Sequence, residues 1–213
     1  MAAGYLLATR KFYYLHFASM TAVPSPPLLA SPGAGLPAVE LFFARRIFGW
    51  HRRRTSRAAA AAAIAAEREI LVTLARGCNP AAAARPVLIP RLRGMEDSSR
   101  NWSVYMTLEH VRIVNASIAQ LLQTLPAGRA PGRAASTAAV KPDAGIGAGV
   151  IDALVAACAD LAATAAAVPD LHAGARYAHP WFGPLDAAGW HVMAGFHMRL
   201  HRRQAEQIIA RLG

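Results

Sequence analysis

The sequence predicts an all-α protein, a four-helix bundle with a crossover connection and a short extra N-terminal helix. Three observations predict it. Apolar residues recur at helical spacing in four long segments. Alanine, the best helix former, dominates two of those segments. No run alternates apolar and polar residues as a half-buried strand does. The 213 residues suit one domain with a tail, and that is enough chain to bury a core without disulfides or a structural metal.

Residues 1–36, rich in Pro, Ala, Ser and Gly without a period, read as a mobile tail; residues 37–213 read as the bundle domain. Within the tail, Arg10-Lys11 precedes a short apolar run from Phe12 that breaks at Pro24, Pro26 and Pro27. That run is too short for a membrane span and lacks a signal-peptide cleavage pattern. Met20 is an alternative start.

From Pro37 the pattern turns helical, with Leu41, Phe42, Ile47 and Phe48 as an apolar stripe. It reaches Gly49-Trp50 and is then punctuated by His51-Arg52-Arg53-Arg54. A long helix from about Ser56 to Arg76 follows, carried by alanines 58–63 and by Ile64, Ile70, Leu71 and Leu74; Gly77 and Pro80 stop it. Prolines 80, 86 and 90 make residues 78–101 irregular. Ser103 can cap the next helix, which runs to about Thr124 with Met106, His110, Ile113, Val114, Ser117, Ile118, Leu121 and Leu122 inward. The Gly/Ala/Pro-rich segment 126–148 supplies a long connection. A second Ala-rich helix spans about Ala148 to Val168. The last helix starts after Asp186 as N-cap, with Leu185 and Trp190 placed for a hydrophobic staple, and ends near Leu212.

Composition narrows the function classes. There are 23 Lys+Arg against 12 Asp+Glu, a net charge of +11, and all but two of the cations are arginine. Such a surface allows contact with phosphates or acidic lipids. The cluster Arg45, Arg46, Arg52, Arg53, Arg54 and Arg57 lacks any DNA-reading motif, and a solvated basic face or a docking surface for an anionic thiol is its milder reading. Two cysteines, Cys78 and Cys158, form neither a disulfide framework nor a Cys-rich zinc site, and they suit a reducing, cytoplasmic setting. No phosphate loop, nucleophile elbow or catalytically spaced carboxylate pair is found.

Histidine carries the chemistry. His197 and His201 are spaced i, i+4 and therefore project side by side from one helix face; His110 lies on the inward stripe of another helix. Three imidazoles so placed can bind one divalent ion and leave coordination positions open, as catalytic sites do. Histidine suits Zn, Ni, Fe or Cu. Taken singly, each of the three is more often a hydrogen-bonded core residue. His179 reads as a turn residue bonded to backbone, His191 as exposed, and Glu109 as a solvated or interhelical charge.

The segment Trp102-Ser103-Val104-Tyr105-Met106-Thr107-Leu108-Glu109-His110 resembles the second-helix signature of the DinB-like superfamily. His179-Pro180-Trp181-Phe182-Gly183-Pro184-Leu185, then Trp190, then His197-Met198-Arg199-Leu200-His201-Arg202-Arg203-Gln204 is similar to that superfamily's closing motif, and Arg91 to Arg100 fits one of its subgroups. The resemblance implies a four-helix bundle holding a divalent metal (Zn, Ni or Fe) through His110, His197 and His201. Members of that superfamily are often homodimers, and they include thiol-dependent transferases and isomerases; the expectation for this chain is a metal-dependent transferase or hydrolase acting on a small molecule, with a low-molecular-weight thiol as co-substrate. The competing expectation is a non-enzymatic helical module that binds nucleic acid or anionic lipid through its basic surface.

Overall fold

The computed structural model describes residues 28–212, and most of the expected tail, residues 1–27, lies outside them. Residues 28–36 are irregular; the backbone amides of Ala30 and Gly33 donate to Asp97 and Glu96. Four long helices then close a ring: α2 (Arg57–Arg76), α4 (Val104–Thr124), α5 (Val150–Ala167) and α6 (Ala187–Ile209). Helix α2 packs on α6, α6 on α4, α4 on α5, and α5 back on α2. The α2–α4 and α5–α6 links therefore cross the bundle, whereas the long segment 126–148 joins neighbours.

Local chemistry sets the helix starts, at Ser103 and Asp186 as expected and at Ser56 as well. Ser56, Ser103 and Asp186 accept hydrogen bonds from Ala59, Met106 and Gly189 at the starts of α2, α4 and α6. Phe48, Leu71, Leu108, Ile118, Leu122, Leu154, Leu161, Met198 and Ile208 are among the fully buried side chains that fill the centre. Helix α5 is, among the described residues, the one helix long and apolar enough to cross a membrane, and Leu154 and Leu161 on it are completely buried in the bundle.

Several expectations need correction. Helix α1 (Ala38–Arg54) does not stop before its basic residues but runs through them. Arginine is a good helix former, and cations suit a helix C-terminus. Its apolar stripe is not in the core either: only Phe48 is buried, and Phe42 and Ile47 face outward. On α4 the deep face is Leu108, Val111, Asn115, Ile118 and Leu122, while Ser117 is exposed. The expected stripe was rotated toward a cavity beside the helix. The connections also carry order that periodicity could not reveal. Helix α3 (Pro80–Ala84) is a single turn, and β1 (Val87–Leu88) pairs antiparallel with β2 (Asn101–Trp102). A hairpin pairs β3 (Tyr177–His179) with β4 (Gly183–Leu185). These ladders are two or three residues long, too short to show a period of two.

One glycine has no substitute. Gly174 has φ +78°, and a Cβ there would lie 2.1 Å from the Leu125 carbonyl oxygen, which also accepts from Ala175. This close approach ties the loop before the hairpin to the end of α4.

Candidate metal centre

Helix geometry puts His197 and His201 on one face of α6, and the packing of α6 against α4 brings His110 to them. The ring centroids are 4.3 Å apart for His197 and His201, 4.5 Å for His110 and His201, and 4.9 Å for His110 and His197. One nitrogen from each ring lies within 4.8 Å of the others. His110 Nε2 and His197 Nε2 are 3.0 Å apart. Two nitrogens bound tetrahedrally to one zinc ion would stand roughly 3.3 Å apart.

Two of the rings are held by protein partners that also fix their protons. His110 Nδ1 is 2.7 Å from the Val140 carbonyl oxygen, which can only accept, so Nδ1 carries the hydrogen and Nε2 is a bare lone pair. His201 Nδ1 is 2.7 Å from Gln204 Oε1, and Gln204 Nε2 donates to the Ser99 carbonyl oxygen at 2.7 Å. Because Ser99 O fixes the amide's orientation, His201 also donates from Nδ1 and leaves Nε2 bare. His197 Nδ1 is buried without a partner among the described residues. The floor is aromatic: Trp102 stacks on His201 with centroids 6.0 Å apart and also contacts His110.

Burial keeps all three imidazoles neutral. It pushes His110 down to about 4, and the Lys141 charge adds to this while the Val140 bond opposes it. Burial, followed by the neighbouring histidines, holds His197 well below the usual range; His201 is lowered by burial and then by His110. Neutral rings with free lone pairs are the form that ligates a metal.

The triad opens into a cavity of about 510 Å³ lined by Trp181, Trp190, Tyr177, Met193, Leu121 and Val114, among others. The segment 126–148 closes one side of it. It supplies Val140 to His110, Thr137 and Lys141 to Glu96, and the Arg133 carbonyl to the Tyr177 hydroxyl. Lys141 is fully engaged, donating also to Ser98 and Ser99.

The other singled-out residues fall as follows. His179 lines the cavity and accepts from the Trp181 amide at 3.1 Å, the turn role expected of it. His191 is 1% exposed, which overturns its reading as a surface residue; the first turns of α6 are buried on nearly every side. Glu109 pairs with Arg112 within its own helix, not between helices. Cys158 is a core residue accepting from Asn115, and Cys78 sits half-buried after α2. Gln204 stands at the end of the closing motif and Glu96 within the 91–100 segment, but sequence reasoning gave neither a role, and it gave Val140 no place at all; the signal for Gln204 is its i, i+3 position after His201 on the same helix.

No family model matches the chain, and no curated protein matches it. Among solved structures, TT2238, described as a four-helix bundle protein, is similar at 26% identity with a TM-score of 0.50, over 70% of this chain and 96% of that one. The likeness shows the four-helix-bundle fold.

Proposed function

We propose that residues 37–213 form a metal-dependent enzyme domain of the DinB-like type, with His110, His197 and His201 holding one divalent ion at the base of the cavity. The observation that carries this reading is the meeting of three neutral imidazoles from two helices under an apolar chamber. The donor set fits zinc, nickel or iron. Held by His110, His197 and His201, such an ion would supply a nucleophile at neutral pH by lowering the pKa of a thiol or water beside it.

The chain's own residues do the remaining work. Val140 and Gln204 hold two rings in the tautomer that presents Nε2. Trp102 backs two of the rings from below. Trp181, Trp190 and Tyr177 line a chamber sized for a small electrophile with a low-molecular-weight thiol as co-substrate, which places the reaction among transferases or hydrolases. A cytoplasmic homodimer completes the reading, and residues 1–36 are its tail.

Metal analysis of the purified protein and of His197→Ala tests this. One ion per chain in the wild type and none in the variant is the expected result. A wild type holding no more metal than the variant overturns it.

A further inference from the structure

Helix α1 presents an outward stripe that nothing in the described structure covers. Val39, Phe43, Ile47 and Trp50 are 72%, 56%, 58% and 52% exposed. Phe42 joins them at 50%, and Arg46, Arg53 and Arg54 lie on the same side at helical spacing. Val39, Phe42 and Phe43 stand toward the N-terminal end and Arg53 and Arg54 at the C-terminal end, with Arg46, Ile47 and Trp50 interleaved between them. The cations are arranged to lie along the aromatic surface: Arg46 sits over the Phe42 ring and Arg54 over Trp50, each at 4.6 Å. Among the described residues, Arg45, Arg46, Arg53 and Arg54 have no carboxylate within salt-bridge distance. The one acid of the helix, Glu40, is turned away to Arg91 and the Gly94 amide. An open depression beside the stripe gathers Arg45, Arg46 and Arg53 around Gly49.

We infer that α1 is a docking surface for an anionic phospholipid bilayer. Its aromatic and aliphatic side chains enter the headgroup boundary while its arginines meet lipid phosphates. Charge complementarity selects this occupant. A second copy of the stripe would set arginine against arginine in a parallel pairing, and would desolvate Arg53 and Arg54 against Val39 and Phe42 in an antiparallel one. Neither arrangement offers a carboxylate. A nucleic acid would satisfy the arginines but leave Phe43, Ile47 and Trp50 in water. A lipid surface accepts both at once: the apolar side chains enter the headgroup boundary while the interleaved arginines, lying along the rings, reach its phosphates. The inference is independent of the histidine triad.

Co-sedimentation of the full chain with vesicles tests it, comparing phosphatidylcholine alone with equal parts phosphatidylcholine and phosphatidylglycerol. The chain is expected to pellet with the anionic vesicles and not with the neutral ones. Arg53→Glu/Arg54→Glu should weaken this binding by about tenfold or more. Phe43→Ser/Trp50→Ser should weaken it while leaving its salt dependence in place. All four side chains are exposed, and circular dichroism should show unchanged helix in both variants. Three results would overturn the inference. The first is no binding to anionic vesicles. The second is binding that neither variant alters. The third is a Trp50-sensitive dimer, or duplex DNA binding, in place of vesicle binding.

Discussion

Two sides of helix α6 both bring polar groups into the bundle, and they are finished differently. On the side facing α2, Glu67 is 5% exposed and accepts from Arg199 Nε at 3.1 Å and Arg202 Nε at 2.7 Å, while Arg202 also pairs with Glu206. Donors and acceptors there complete one another. On the side facing α4, three imidazoles meet: the His110 Nε2 lone pair has only His197 Nε2 within 3.0 Å, the His201 Nε2 lone pair is bare, and His197 Nδ1 has no partner among the described residues. Burying polar groups without partners is costly, so a cluster finished internally reads as structure and one left open reads as a place for something else. Both clusters sit on the same rigid rod, so the difference lies in the side chains and not in the flexibility of the helix.

Ligand binding should separate the two sides most sharply. Zinc at about a hundred times its dissociation constant should raise the wild-type melting temperature by about 5–10 °C. His110→Ala should lose that rise entirely, as read by differential scanning fluorimetry. The next effect is smaller and probes the support of the open side. Gln204→Leu frees the His201 ring and strips Ser99 O of its donor, and should cut zinc affinity by about 10–100-fold in a competition titration. On the closed side, Glu67→Gln should cost about 1–2 kcal/mol in urea unfolding, a value reduced because Arg199 is half exposed. Its zinc response should match the wild type; a loss of that response would erase the distinction between the two sides.

The smallest effect concerns a buried histidine outside both clusters. Burial, then Arg57, lowers His191 from 6.5 to about 4. A base whose folded pKa is depressed contributes fully above 6.5, and that contribution is lost as pH falls toward the folded value. Between neutrality and roughly pH 5.5 the loss should be about 1 kcal/mol. His191→Leu should flatten the fall in stability over that window by this amount, measured by urea titration at each pH. An unchanged slope would show that His191 is hydrated in the folded state.

Much of this was legible in the sequence where local rules decide the outcome. Ser103 and Asp186 cap their helices because a side-chain oxygen there meets the amide three residues on. The i, i+4 spacing of His197 and His201 fixes their adjacency before any packing is known. The approach of His110 required a bundle, which the periodicity of four segments and the resemblance supplied. What escaped depends on contacts distant in sequence. Val140 reaches His110 from a loop without a period, across 30 positions. His191 is covered by elements that meet only in the fold. The α1 stripe has the periodicity of a core face, and apolar spacing alone does not say whether another element lies against it.

The most direct test of the triad is anomalous diffraction from crystals of the zinc-loaded protein at the zinc absorption edge. A single peak bonded to Nε2 of His110, His197 and His201 is expected, with His110 Nδ1 still on Val140 O and His201 Nδ1 still on Gln204. A peak bound elsewhere, or imidazoles bonded to one another with no metal between them, would contradict it.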